Sequence, residues 1–341
     1  MKIRLVLMLS ITFYSFSVWA LGQASGDQSQ TRSVFDQWYS DNALEVVMNV
    51  DMQEMMSNKM NDEYIPAQLT FGKESLRSVT LDAKVRARGR FRRMNCDFPP
   101  LKVKLDKSQL RDLGMKDHND YKLVTHCADD ETAAENLLRE YLAYELYQEL
   151  SPVSFRAQLV RVTYKDQMTG SQETHLGILL EDTDELAERL GMKVCDECYG
   201  MQDEQIQPEN FRVHALFQYM IGNTDWSLSM LRNLKVLQNP TTGENFLAPY
   251  DFDFSGLVNA GYAVPLQQFG QTTVRDRVML AKYDSQSWGD ASDYLFKKKK
   301  TLINLVKNFD GLDNKARRDI TQYLNQFYNQ LAQGTVAYLA K

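Results

Sequence analysis

FRAQLVRVTYKDQMTGSQETHLGILLED, residues 155–182, is where the chain changes character. FRAQLVRVTY and THLGILLED read as two strands around a turn at KDQMTG, because Thr, Gly and Asp gather between runs rich in Val, Leu and Ile. Before this pair the text is mostly strand-like. ALEVVMNVD (43–51), SLRSVTLDAKVRARGRF (75–91), PLKVKLD (100–106) and DYKLVTH (120–126) are rich in Val and Leu and alternate in part. One helix is expected among them. Thr132 and Glu135 have the spacing of a capping box, and ENLLREYLAYELYQEL (135–150) follows at near-helical apolar spacing. After Glu181 the text turns mostly helical. ENFRVHALFQYMIGN (209–223) predicts an amphipathic helix, LRNLKVL (231–237) and FLAPYDFDF (246–254) predict a hairpin, and residues 292–340 predict two or more further helices. No internal repeat or low-complexity tract interrupts this order.

The chain has 341 residues, with 43% hydrophobic and 25% charged content, which marks an ordinary globular protein. Lys2 and Arg4, an apolar run from Leu5 to Tyr14, and Val18-Trp19-Ala20 read as a signal peptide cleaved after Ala20. The run is too short, and too interrupted by Ser10 and Thr12, for a membrane anchor, and no later stretch is apolar enough to span a bilayer. Residues 21–32 read as a flexible polar leader. Losing Lys2 and Arg4 would leave 37 basic against 45 acidic residues, a net of −8, which argues against nucleic acid as the partner. An exported chain meets an oxidising compartment, and its four cysteines suggest disulfides. Cys96 with Cys127 and Cys195 with Cys198 are the favoured pairs, the second with only two residues between its cysteines. A zinc site is disfavoured, because neither a second CxxC nor a spaced His pair accompanies the first. His118, His126, His175 and His214 have no ligand spacing and are read as structural.

Four segments carry chemical interest. In VRARGRFRR (85–93), a strand would place Arg86, Arg88, Arg90 and Arg92 on one face, a row suited to phosphate because the guanidinium fork matches its oxygens. Lys102 and Lys104 alternate with Leu101, Val103 and Leu105, facing either a cleft or water. Asp225 follows a helix and a turn signal, where an acid serves as a base or as a simple turn former. Asp251 and Asp253 stand two apart in an otherwise apolar PYDFDFSG (249–256), so a strand would aim both carboxylates at one side. Two such acids could bind a hard divalent cation. Asp225, Asn233 and Asp251 follow the chain order of base, metal ligand and metal ligand in protein-kinase-type phosphoryl transfer.

GNTDWSLSMLRNLKVL (222–237) followed by PYDFDFSG resembles the CotH spore-coat family of atypical kinases, with an N-x-D, then an Asn before a strand, then a D-x-D close to a glycine. KVRARGRFRR, PPLKVKL, the helix around Arg139 and THLGILLED stand where that family carries its Arg-Gly segment, lysine strand, helix arginine and hinge, over residues 80–260. The resemblance implies an α+β, two-lobed protein-kinase-like fold. A β-rich N-lobe with one helix (33–181) would bind nucleotide, and a mostly helical C-lobe (182–341) would carry a metal-binding hairpin. It implies ATP and Mg2+ or Mn2+ as cofactors, with an exported protein or other hydroxyl acceptor. Asp225 would be catalytic, Asn233 and Asp251 would hold the metal with Asp253 in support, and Lys102 or Lys104 would touch the phosphates. Arg88 and Arg90 would belong to the phosphate segment, Arg139 would face the phosphates or the lysine, and Glu181 would sit at the hinge. Here Arg90-Phe91-Arg92 replaces the family's small polar residues, which bears on catalysis more than on fold. The alternatives are a non-catalytic binding or assembly protein of the envelope, and a metal-dependent phosphoesterase using the same acids.

Overall fold

A computed structural model describes residues 31–72, 78–128 and 131–336. The expected signal peptide and the leader through residue 30 lie outside the described residues. Seven strands form the first half: β1 (Leu44–Val50), β2 (Ile65–Phe71), β3 (Val79–Ala87), β4 (Leu101–Leu105), β5 (Asp120–Val124), β6 (Ala157–Asp166) and β7 (Gln172–Leu180). Strict alternation puts Leu101, Val103 and Leu105 inward and Lys102 and Lys104 outward, and β2 and β3 repeat the pattern. The inward residues, with Met48, Leu69 and Tyr121 among them, make one apolar core.

The two-lobed protein-kinase-like expectation fails here. The strands close into a barrel in the order β1-β2-β3-β4-β5-β7-β6. Closure comes from β1 lying parallel to β6, with Leu44 beside Val160 and Val50 beside Asp166. That pairing spans more than a hundred residues, and alternation within a strand carries no information about which distant strand it meets. The barrel half also holds more than one helix: α1 (Val34–Trp38), α2 (Met52–Ser57), α3 (Arg90–Asn95), α4 (Lys107–Asp112) and α5 (Glu131–Gln148). Asp51 and Asp106 cap α2 and α4 by accepting backbone N–H bonds, a short-range signal that strand-seeking overlooks. Helix α5 is described from Glu131 on, so Thr132 stands inside its first described turn, and Glu135 pairs with Arg139 at 2.8 Å.

The second half contains α6 (Thr183–Arg189), α7 (Pro208–Ile221), α8 (Gly289–Lys307) and α9 (Asn314–Ala332), and β8 (Lys193–Val194), β9 (Leu234–Gln238) and β10 (Asn245–Pro249) form a small sheet in the order β10-β9-β8. Helices α5, α7, α8 and α9 share one large core that includes Leu142, Phe217, Leu302 and Phe327. Gly222 ends α7 at φ 67°, and its carbonyl accepts the Gly256 N–H at 3.1 Å. A Cβ on Gly256 would come within 2.4 Å of the Tyr323 hydroxyl and 2.7 Å of the Val274 carbonyl, so only glycine permits this approach. The contact brings the loop after α7, which carries Asp225, beside the turn after β10, which carries Asp251.

Cys96 is joined to Cys127 and Cys195 to Cys198. The first bond ties the end of α3 to the loop after β5 and closes a span of 31 residues, worth roughly 3–4 kcal/mol in the chain-entropy picture. Two disulfides fit an oxidising compartment. Among the described residues, no helix is long and apolar enough to cross a membrane.

Candidate functional site

The arginine row does not form. Strand β3 stops at Ala87, Gly89 takes φ 76°, and α3 starts at Arg90, so the period changes from two to 3.6 within the motif. Arg86 stays outside and bonds Asp62 at 2.9 Å, and Arg90 is exposed at the start of α3. Arg92 turns inward and is buried. Phe91, one residue before it, packs edge-on to Phe254 at 5.0 Å, which fixes α3 against the turn after β10.

That turn is not a strand either. β10 ends at Pro249, and Asp251 adopts φ 66°, yet both acids reach the same guanidinium. Arg92 Nη2 bonds Asp251 Oδ1, its Nε lies 3.4 Å from Asp253 Oδ2, and its Nη1 lies 3.9 Å from Glu140 Oε2 on α5. Asp251 is held further by Arg88 at 3.8 Å, and its backbone N–H donates to the Tyr144 hydroxyl at 2.8 Å. Tyr262 donates to Asp253 at 3.1 Å. Burial pulls Asp251 upward, but Arg92 and Arg88 outweigh it and hold the carboxyl below its usual range. Burial raises Asp253 to about 6, with Asp251 adding to the rise and Arg92 opposing it. Burial likewise pushes Glu140 well above the carboxylate range against the pull of Arg92.

Asp225 lies at the rim of this cluster. Its backbone N–H donates to Asn223 Oδ1 at 3.0 Å, which shapes the loop. Asn233, at φ 54°, donates its amide nitrogen to the Asp225 carbonyl at 2.7 Å and to Asp225 Oδ2 at 2.9 Å. The Tyr250 N–H bonds the Asn233 carbonyl at 3.0 Å, so Asn233 connects Asp225 to the Asp251 turn. Arg232 lies 3.5 Å from Asp225 Oδ1. Burial raises the Asp225 carboxyl and Asp251 adds to the rise, while Arg232 opposes it.

On the barrel side of Asp251 sits Lys122, at the centre of β5. Its Nζ is 5.2 Å from the centre of the Tyr250 ring and 5.4 Å from that of Phe155, and 3.3 Å from the Thr183 hydroxyl. Burial, then the nearby Arg88 and Lys235, bring its ammonium down to about 7. Lys122, Arg88 and Lys235 therefore form a cationic patch beside an ionised aspartate.

The structure brings together Arg88, Asp225, Asn233, Asp251 and Asp253. It leaves the other expected site residues elsewhere. Lys102 stands opposite Lys122 across β4 and β5 but its Nζ pairs with Asp120 at 2.9 Å, and Lys104 lies 5.3 Å from the centre of the Tyr64 ring. Arg139 faces away from the acids and binds the Leu257 carbonyl at 3.0 Å and Asp319 at 2.9 Å. Glu181 is fully buried, and both its oxygens are taken by Arg156 and Arg189 at 2.7–3.1 Å. Glu140, Lys122, Lys235 and Tyr262 were missed from sequence. Lys122 had a signal in DYKLV, a lone cation in an apolar strand, but its value depends on β5 lying beside β7 and the Asp251 turn. His126 and His175, far apart in sequence, stack at 3.8 Å, and His214 is buried in the second half with its imidazole lowered by burial to about 3.

A divalent ion fits this arrangement poorly. Asp251 and Asp253 converge with Glu140 on Arg92 and not on a shared empty centre, and Asn233 turns its amide to Asp225. Among the described residues, no group of three or more His, Cys, Asp or Glu side chains is placed to hold a metal.

No family model and no curated protein sequence matches the chain, so the CotH resemblance rests on its motifs alone. Among solved structures the chain is distantly similar to the Helicobacter pylori proinflammatory kinase CtkA. Identity is 10%, covering 69% of this chain and 95% of that one, with a TM-score of 0.40. A likeness this remote fixes neither the fold nor the chemistry.

Proposed function

We propose that the chain is an exported phosphotransferase that moves the terminal phosphoryl group of a nucleotide such as ATP to a protein or other hydroxyl acceptor. The observation that carries this reading is the cationic patch of Lys122, Arg88 and Lys235 next to the Asp225–Asn233 pair. Burial and two neighbouring cations, Arg88 and Lys235, bring Lys122 down to about 7 against the pull of Asp120 and Asp182, and a polyphosphate would supply an anion that restores its charge.

The chain's own groups then divide the work. Lys122, Arg88 and Lys235 would bind the phosphates and neutralise charge as it spreads over the transferring group. Asp225, its carboxyl raised by burial and fixed by Asn233, would accept the acceptor hydroxyl's proton and orient its oxygen for attack. Positioning and charge neutralisation supply most of the acceleration in such reactions.

Incubation with γ-labelled ATP and a panel of exported proteins tests the reading. Label should pass to an acceptor with the wild-type chain and fall by about 10²–10⁴-fold with Asp225→Asn, at an unchanged melting temperature. Full transfer by Asp225→Asn, or none by the wild type, would refute it.

A further inference from the structure

We propose that Arg92 is a cation built into the chain at the position where an acid pair of this kind would otherwise grip a divalent metal, so that phosphate binding here needs no metal held by Asp251 and Asp253. The inference deepens the phosphate-site reading, but it stands on the acid cluster and is testable without any nucleotide.

The geometry is specific. All the nitrogens of one buried guanidinium are used, with Nη2 on Asp251, Nε on Asp253 and Nη1 towards Glu140. These acids come from α5 and from the turn after β10, and the arginine comes from α3, so three separate segments converge on one positive centre. A metal at that centre would need oxygens arranged about itself at close range, and Mg2+ in particular demands a near-octahedral set. The oxygens here are arranged about a planar fork, which matches carboxylates side by side. A second, doubly charged cation at the same acids would also be repelled by the guanidinium in a low-dielectric interior.

Arg92 is held from all sides. Cys96 at the end of α3 is bonded to Cys127, and Phe91 packs on Phe254, so the helix that delivers the guanidinium is fastened to both halves of the site. Tyr144 and Tyr262 fix Asp251 and Asp253 in turn. Swinging Arg92 out to admit a metal would break these contacts together and leave Glu140 and Asp253 buried without a counter-charge.

Manganese titration followed by the electron paramagnetic resonance of the free ion tests this directly. The wild-type protein should take up no Mn2+ at submillimolar concentration. Arg92→Ala should gain a site at least about tenfold tighter, lost again on adding Asp251→Asn. Because Arg92→Ala leaves three acids uncompensated and can fail to fold, Arg92→Ala/Glu140→Gln is measured beside it. That pair removes a buried acid together with the guanidinium, so only Asp251 and Asp253 are left without Arg92. Submillimolar Mn2+ binding by the wild type that disappears with Asp251→Asn would overturn the inference, as would a folded double variant that gains no site. A parallel titration of wild type with ADP, in EDTA and in Mg2+, should give affinities within about twofold of each other, and a tenfold loss in EDTA would also overturn it. Absence of ADP binding in both buffers would refute the nucleotide reading and leave the manganese result to decide this one.

Discussion

Two groups of charge lie on either side of Asp251, and they are balanced in opposite ways. Around Arg92, two buried acids and the half-buried Asp251 enclose one guanidinium, and every cation nitrogen faces an oxygen. Around Lys122, the nearest charges that lower its ammonium are themselves cations, and its close neighbours are two aromatic rings and a hydroxyl. The first group holds α3, α5 and the turn after β10 together through Arg92, with Glu140 Oε1 buried and without a hydrogen-bond partner among the described residues. In the second, Asp251 pairs with Arg88 at 3.8 Å, while at Lys122 burial and the neighbouring cations outweigh Asp120 and Asp182. A buried charge network that satisfies itself serves the fold, while a cationic patch that raises its own electrostatic cost is kept for what it binds. Asp251 belongs to both, so the closed group sets the position and ionisation of the acid at the edge of the open one.

That contrast can be broken from either side. The largest effect is expected in the closed group. Arg92→Met leaves Asp251, Asp253 and Glu140 without their shared partner and should cost about 3–5 kcal/mol, read from the urea unfolding midpoint. A change below about 1 kcal/mol would mean the cluster is not closed in the way described.

The open group should respond with the opposite sign. Lys122 has its folded value lowered from 10.5 to about 7, so between those values the unfolded chain holds a proton that the folded chain has released. This group therefore costs the free protein stability at neutral pH, and the cost fades as pH rises towards 10.5. Lys122→Met should raise the melting temperature at pH 7 by about 2–4 °C for each kcal/mol recovered, with the gain shrinking towards pH 10. A fall in melting temperature at pH 7 would contradict the patch. Bound phosphate would favour the charged amine, so nucleotide affinity should weaken as pH rises from 7 to 9, and binding at pH 8 should take up a proton. Calorimetry in buffers of different ionisation heat reads that uptake, and its absence would remove Lys122 from the phosphate contacts.

The smallest effect belongs to Lys104. Its side chain is 43% exposed and 4.0 Å from Asp120, so Lys104→Ala should change stability by less than about 0.5 kcal/mol and leave binding alone. It serves as the outward-facing control for Lys122.

How far the sequence could be read follows the same division between local and distant information. Helix α7 and the β9–β10 hairpin were legible because their signals, apolar spacing and a Gly-containing turn, lie within one segment. The pairing of β6 with β7 was legible for the same reason. The closure of β1 on β6 was not, because registry between distant strands leaves no mark in either one. Asp225, Asn233 and Asp251 were singled out by their chain order, and the contact between Gly222 and Gly256 brings their loops together. Lys102 and Lys104 were chosen over Lys122 because all three stand in alternating strands, and only the sheet order tells which one faces the Asp251 turn. The row from Arg86 to Arg92 misled because Gly89 ends the strand halfway through it.

Isothermal titration of ADP at pH 7 into wild type, Lys122→Met and Lys104→Ala tests the claim that the cationic patch is a phosphate site. Saturable binding by wild type and Lys104→Ala, weakened at least about tenfold in Lys122→Met, is the expected result. No binding by the wild type, or equal affinity in Lys122→Met, would contradict it.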